Sequence, residues 1–240
     1  MANTFFQFKQ FTVHQALCAM KVCTDACIQG AYTARYLNQN NLSVPAILDL
    51  GAGTGLLSLL LAQQTTSDIT AVELDPGAAR QATENFALSP WSDRLQLMQT
   101  DIRKLEASST YNFIITNPPF YEDALKSGQA EKDQAMHATN LSYNELLRAI
   151  NSLLAADGEI SVLLPYQAFN SFMTLALQSN LFLKQRLDIR QTTSHSYFRT
   201  VGIFSRVATG TAVEELSIHD TSRNYTPEFI ELLKPYYLYL

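Results

Sequence analysis

Val44-Pro45-Ala46-Ile47-Leu48-Asp49-Leu50-Gly51-Ala52-Gly53-Thr54-Gly55-Leu56-Leu57-Ser58-Leu59-Leu60-Leu61-Ala62 decides the fold. The apolar run up to Leu50 has the length of a buried strand, the glycines make a turn, and the leucine-rich run continues as a helix. Strand, glycine turn and helix in succession open a doubly wound α/β sheet, whose ligands sit past the carboxyl ends of the strands. Glycine at 51, 53 and 55 removes the Cβ atoms that would keep backbone away from a ligand. The spacing is G-x-G-x-G with Asp49 two residues ahead, unlike the G-x-G-x-x-G of a pyrophosphate site, so a nucleotide lacking a pyrophosphate is implied.

The strands that follow repeat the arrangement. Ile69-Thr70-Ala71-Val72 ends at Glu73, 22 positions after Gly51, where such folds place an acid on the hydroxyls of a ribose. Asp75 reads as the cap of a helix over Pro76 to Leu88, with proline at its first position. A third strand around Leu95-Gln96-Leu97-Met98 closes on Thr100-Asp101-Ile102. Asp101 is either a solvated loop aspartate or an acceptor for an adenine amine, with Ile102 covering the ring. A fourth strand, Tyr111 to Thr116, delivers Asn117-Pro118-Pro119-Phe120-Tyr121. An amide, two rigid prolines and an aromatic ring past a strand end suit the grip of a planar amine.

Residues 121–139 carry mixed charge without periodicity and read as a substrate-side lid or a plain surface loop. Ser142 to Ala156 reads as an amphipathic helix, Glu159 to Pro165 as a fifth strand and Gln167 to Ser179 as a returning helix. Leu181 to Arg190 and Ser196 to Val207 alternate as a terminal strand pair. Glu214 to Ile218 is one more strand, and Thr226-Pro227 starts a last helix. Lys184, Arg186, Arg190, Arg199 and Arg206 stand in the strand pair against one acid, Asp188. They are either phosphate contacts or the ordinary charged face of half-exposed strands. The closing Tyr236-Tyr237-Leu238-Tyr239-Leu240 reads as packing.

Ahead of the glycine unit, Thr24 or Asp25 caps a helix whose free N–H groups, with Lys21 nearby, suit a carboxylate. A lid helix with a solvated lysine accounts for the same residues. His14/Cys18 and Cys23/Cys27 each stand four apart, yet without a Cys-x-x-Cys they read as buried side chains, and no metal is expected.

Composition sets the outer bounds. The 240 residues, 47% hydrophobic and 16% charged, fall in the ordinary globular range. A single domain is expected over 1–240, with a covering segment at 1–40, the sheet at 44–207 and a strand and helix at 208–240. Three cysteines cannot make a disulfide framework and fit a reducing compartment. No apolar run approaches the roughly 20 residues that cross a bilayer, and no signal segment is read, so a cytoplasmic protein without membrane contact is expected. A net charge of -5 speaks against holding nucleic acid by a whole-molecule positive field; such a partner must meet a local patch.

Asp49 with Gly51, Gly53 and Gly55, then Glu73, Asp101 and Asn117-Pro118-Pro119-Phe120 at successive strand ends, resemble the S-adenosylmethionine-dependent amino methyltransferases. Phe8-Lys9-Gln10-Phe11, Cys18-Ala19-Met20-Lys21-Val22, Thr24-Asp25, Ala71-Val72-Glu73-Leu74-Asp75, Glu84-Asn85 and Ser89-Pro90-Trp91 are similar to the tRNA1(Val) adenine-N6 methyltransferases. That resemblance runs over nearly the whole chain. It implies a Rossmann-like class I methyltransferase, with a seven-stranded, mostly parallel sheet, the last strand antiparallel and helices on both faces. It also implies N6 methylation of the adenine just 3′ of the anticodon, position 37, in a valine tRNA. S-adenosyl-L-methionine would be the donor, S-adenosyl-L-homocysteine the product and tRNA the partner, without a metal or an obligate protein partner.

The cofactor contacts so implied are Lys21, Thr24, Asp49, Gly51, Gly53, Gly55, Glu73, Leu74, Asp101, Ile102 and Asn117. Asn117, Pro118 and Phe120 would be catalytic, and Pro119, Tyr121, Lys126, Arg190 and Arg199 would meet the substrate. The Asn117 side-chain oxygen and the Pro118 carbonyl would accept both N–H bonds of the exocyclic amine while Phe120 stacks on the base. The alternatives are transfer to a guanine N2 amine of RNA or to a protein glutamine amide, a nicotinamide oxidoreductase, which the glycine spacing disfavours, and a non-catalytic RNA-binding module.

Overall fold

The computed structural model describes residues 3–40, 42, 44–105, 110–118 and 141–240. Phe5–Gln7 (β1) and Thr12–His14 (β2) pair as a small antiparallel hairpin, and helix Thr24–Gln39 (α1) follows. The glycine unit folds as read, with Ala46–Leu50 (β3) leading through the turn into Leu56–Ala62 (α2). Next come Asp68–Glu73 (β4), Pro76–Ala87 (α3), Leu95–Gln99 (β5) and Tyr111–Thr116 (β6). Tyr143–Leu153 (α4), Leu154–Pro165 (β7), Tyr166–Gln178 (α5), Phe182–Thr192 (β8), Tyr197–Ser205 (β9), Ala212–His219 (β10) and Pro227–Leu233 (α6) complete the described chain.

Strands β3 to β10 form one sheet in the order β10-β8-β9-β7-β6-β3-β4-β5. β5, β4, β3, β6 and β7 run parallel, and β9 is antiparallel to both β7 and β8, as the resemblance implied. β10 joins β8 in parallel and extends that seven-stranded pattern by an eighth strand. Long-range polar contacts hold it there. Tyr32 and Arg35 of α1 reach Glu214, and Arg190 of β8 reaches Glu215 and Ser217.

Alternation along the strands sorts side chains to two faces. Ile47, Ile69, Phe113 and Ile115 share one buried cluster with residues of α1, α2 and α6. Leu48, Leu50, Ile114, Ile160, Val162 and Leu164 share another with Leu146, Leu147 and Ile150 of α4 and with Phe169 and Phe172 of α5. Covered on both faces, the parallel strands expose little except their ends, which is where a ligand can reach polar backbone.

Two element ends depart from expectation. α1 begins at Thr24 with Cys23 as its cap residue and no side-chain cap bond, so neither Thr24 nor Asp25 caps it. Asp25 is turned to Arg199, 2.9 Å away on β9, a partner invisible in the linear sequence. α4 stops at Leu153 because β7 starts at the next residue. Carbonyls on both sides of this junction are taken by Arg206, which donates to Asn151 O in the last turn of α4 at 2.9 Å and to Leu154 O and Ala155 O at the start of β7 at 3.3 and 3.4 Å. Of the closing aromatic segment only the first two residues pack: Tyr236 is buried, Tyr237 bridges to Phe8, and Lys9 N donates to Tyr236 O at 2.8 Å, whereas Leu238, Tyr239 and Leu240 are exposed. Arg206→Leu leaves the carbonyls at the α4–β7 junction short of donors. We expect it to lower the unfolding free energy by about 1–3 kcal/mol in urea titration without moving the cofactor affinity.

Candidate active site

A cleft of about 690 Å³ opens where β3, β4, β5 and β6 end. Gly51 and Gly53 line it after β3, Glu73 and Leu74 at and after β4, Asp101 and Ile102 after β5, and Asn117 after β6. Seven residues expected at the cofactor therefore come together, although 66 positions separate Gly51 from Asn117.

The glycine turn is strung from β4. Gly51 N and Ala52 N both donate to Val72 O, at 2.9 and 3.0 Å, and Gly53 N donates to Glu73 Oε2 at 2.8 Å. Such a path needs φ of +75° at Gly51 and +56° at Gly53, a region costly for residues with a Cβ. No atom lies within 4 Å of where a Cβ would stand at either position, so the turn faces open space there. Glu73 Oε1 takes Asp75 N at 2.8 Å. The carboxylate is thus held by two backbone N–H groups, and each oxygen keeps acceptor capacity for a ribose hydroxyl. Asp75 caps α3 as expected, accepting from Ala78 N at 2.8 Å, and with Pro76 and Ala78 it also borders the cleft.

Asp49 and Gly55 support the turn from behind and do not line the cleft. Fully buried Asp49 accepts from Ser58 N at 3.1 Å and Ser58 Oγ at 2.7 Å in the first turn of α2, where unpaired N–H groups favour an acceptor. Its Oδ1 has no partner among the described residues. Burial pushes the Asp49 carboxyl from about 3.8 up to about 7, opposed by the Ser58 bonds and aided by the nearby charge of Glu73. Gly55 starts α2 with φ +79°, and a Cβ there would stand 2.4 Å from Phe86 of α3.

Asp101 is no solvated loop residue. It accepts from Arg103 N at 2.9 Å and takes the Arg103 guanidinium on both oxygens, which holds its carboxyl below the usual range. Arg103 also lines the cleft and stands 3.6 Å from Glu145, the residue that closes a capping box with Ser142 at the start of α4. Asn117 Oδ1 is buried and has no hydrogen-bond partner among the described residues, while Pro118 is buried beside it. Pro119, Phe120, Tyr121 and Lys126, with the 121–139 connection, lie outside the described residues.

Lys21 and Thr24 are not among the cleft-lining residues. The Lys21 ammonium turns back to the carbonyls of Gln15 and Cys18, and Gln15 Oε1 accepts from Val22 N at 2.8 Å. These bonds close residues 15–22 into a loop that presents Cys18, Ala19 and Met20 to the cleft. Asn85 of α3 ties that cover to the glycine turn. Its Nδ2 donates to His14 O at 2.8 Å and Thr54 O at 2.9 Å, and its Oδ1 accepts from His14 N at 2.9 Å. Burial raises the Cys18 thiol to about 11 and the Cys23 and Cys27 thiols to about 12, so all three are neutral. Among the described residues no group of three or more His, Cys, Asp or Glu is disposed to hold a metal ion.

Four of the five cations of the strand pair meet acids, most of them from other elements. Lys184 meets Glu159, Arg186 meets Asp188, Arg190 meets Glu215, and Arg199 meets Asp25. Arg190 and Arg199 nonetheless stand toward the sheet edge that carries the cleft, since Pro165 at the end of β7 pairs with Arg199 and Arg190 pairs with Tyr197. The Arg190 guanidinium lies over the Tyr197 ring at 5.1 Å, and that ring neighbours Tyr166 at 5.2 Å.

This strand order, with a glycine turn and acids at successive strand ends around one cleft, defines a class I methyltransferase. The family model described as "Methyltransferase small domain" matches residues 34–165. A tRNA1(Val) (adenine(37)-N6)-methyltransferase of Dyadobacter fermentans is 41% identical, with 98% of each chain covered. One of Bacteroides fragilis is 36% identical over 99% of each. Among solved structures, an Agrobacterium tumefaciens protein described as a predicted O-methyltransferase aligns with a TM-score of 0.65 at 17% identity, over 88% of this chain and 96% of its own, and shares the fold. The chain belongs to the tRNA1(Val) (adenine(37)-N6)-methyltransferase family.

Because folding favours the protonated form of Asp49, its ionisation costs stability as pH rises from about 4 to about 7. The advantage of the wild type over Asp49→Asn in denaturant titrations should therefore shrink across that window, no faster than about 1.4 kcal/mol per pH unit. An advantage that grows with pH would mean that the α2 start outweighs burial.

Proposed function

We propose that the chain transfers a methyl group from S-adenosylmethionine to N6 of an adenine in tRNA, at position 37 of tRNA1(Val), in the cytoplasm and without a metal. The observation that carries this reading is the buried Asn117 Oδ1, which has no partner among the described residues and stands at a strand end bordering the cleft. A buried acceptor without a donor costs about 1–3 kcal/mol, a cost offset when a substrate N–H reaches it.

When bound, S-adenosylmethionine supplies a methyl group already activated on a sulfonium. Glu73 would hold its ribose hydroxyls, Asp101 its adenine amine, and Leu74 and Ile102 the faces of that ring. Gly51 and Gly53 let backbone N–H groups approach the remainder, under the cover of Cys18, Ala19 and Met20. On the substrate side, Asn117 Oδ1 and the Pro118 carbonyl accept the two N–H bonds of the target amine. That pulls the nitrogen toward tetrahedral geometry and frees a lone pair otherwise spread into the ring. No base need act first, because the proton becomes acidic only as the nitrogen turns cationic. Phe120 would stack on the base, Pro119, Tyr121 and Lys126 would border it, and Arg190 and Arg199 would exchange acidic partners for phosphates. The adenine must leave its stack at a cost of about a few kcal/mol, lower in a loop than in a duplex, which favours an RNA loop as substrate.

Labelled S-adenosylmethionine with tRNA, followed by nucleoside analysis, should yield N6-methyladenosine. N2-methylguanosine would overturn the adenine assignment, and label in protein would overturn RNA altogether. Asn117→Ala should lower turnover by at least about 100-fold while donor affinity stays near wild type. Glu73→Ala should show the opposite pattern, with donor binding weakened in calorimetry; unchanged affinity would remove Glu73 from the ribose.

A further inference from the structure

Gln29 lies in the second turn of α1 and is fully buried. Its Nε2 donates to Thr116 O at 2.9 Å and approaches Ser161 O at 3.4 Å. Its Oε1 is buried with no partner among the described residues. Thr116 is the last residue of β6, so the carbonyl that Gln29 holds belongs to the peptide joining Thr116 to Asn117. The β6–β7 pairing is described up to Thr116 opposite Val162, while β7 runs on to Pro165. A side-chain donor from a helix thus takes over where the ladder ends.

An apolar side chain of similar shape would remove the unsatisfied Gln29 Oε1 but leave the buried Thr116 carbonyl without this donor, and either orphan costs about 1–3 kcal/mol. What glutamine adds is the N–H on Thr116 O. The surroundings make that contact rigid. Asp25 anchors the first turn of α1 to Arg199 at 2.9 Å. Thr33, one turn after Gln29, meets Ser161 Oγ at 2.8 Å, and Tyr36 donates to Glu159 at 2.6 Å. From the front, Thr116 Oγ1 donates to Leu50 O at 2.8 Å, binding the strand end to the start of the glycine turn.

We infer that Gln29 is a positioning residue for methyl transfer: its amide N–H fixes the Thr116–Asn117 peptide plane and so aims Asn117 Oδ1 at the substrate amine. The inference rests on the role proposed above for Asn117. A displacement of about 1 Å at a reacting group can cost on the order of 100-fold in rate, so one lost bond behind the strand end is enough to be read in turnover.

Gln29→Met keeps the shape and removes the donor, whereas Gln29→Glu sets an acceptor against the Thr116 carbonyl. For Gln29→Met we expect kcat on tRNA to fall at least about tenfold, with KM for tRNA and donor affinity within about twofold and the melting temperature little changed, since the orphaned Oε1 is exchanged for an orphaned Thr116 carbonyl. Gln29→Glu should be slower still; if it does not fold, Gln29→Met decides alone. In the Asn117→Ala background, Gln29→Met should have no further effect on kcat, since both changes remove one function. Turnover of Gln29→Met within about twofold of wild type overturns the inference while leaving the role of Asn117 intact. So does a kcat loss matched by equal losses of donor affinity and melting temperature, which marks a merely structural residue. Wild-type protein that does not methylate tRNA overturns the proposed function, and this inference with it.

Discussion

The carboxylate of Glu73 is the joint on which the site depends. Two backbone N–H groups from different elements, Gly53 in the turn after β3 and Asp75 at the start of α3, converge on its oxygens at 2.8 Å. Bonds to an ionised acceptor are roughly twice as strong as neutral ones, and these hold a turn that only glycine follows without strain. The register makes the meeting possible. Leu50 lies opposite Val72 in the parallel pair β3–β4, so the residue after Val72 arrives beside the residues after Leu50. With Gly51 N and Ala52 N both on Val72 O, the whole turn hangs from the end of β4.

Behind the residues that line the cleft stands a layer of buried polar side chains that bind backbone. Asp49 holds the start of α2, Asn85 joins the amino-terminal hairpin to Thr54 of the turn, and Gln29 holds the end of β6. Each is almost wholly shielded from solvent, and each is tied to main chain at a point where regular pairing ends. Loss of ladder bonds at strand ends leaves carbonyls and N–H groups that must find donors and acceptors elsewhere. Long polar side chains supply them here, and by doing so they stiffen the places from which the lining residues project.

The strand, turn and helix of residues 46–62 and the acid at the end of β4 were legible because periodicity and glycine spacing are local properties. Cleft residues at strand ends were legible for the same reason, since a doubly wound sheet presents successive carboxyl ends at one edge. Asp49 and Gly55 sit in the same motif, yet the structure puts them beneath the turn, against Ser58 and Phe86. Spacing alone does not separate a residue that touches a ligand from one that props up its neighbour. Lys21 shows a related limit: a flexible four-carbon stem can reach the cleft or fold back, and the carbonyls of Gln15 and Cys18 decide for folding back. Arg103, Asn85 and Gln29 carried weak local signals, because a lone polar residue in a helix or short loop reads as solvated until its partner is known.

By itself, then, the order of residues determined what depends on near neighbours: an alternating apolar pattern that must be buried on two faces, turns that only glycine can make, and an amide delivered at the end of β6. Tertiary structure alone decided how charge was disposed. The run of Lys184, Arg186, Arg190 and Arg199 reads as a basic patch, but Glu159, Asp188, Glu215 and Asp25 come from β7, β8, β10 and α1 to meet it. Three of those four acids lie well away in sequence from the cation they neutralise. Pairing between ions acts through space at a few ångströms and takes no account of separation along the chain, so only the folded sheet could reveal it.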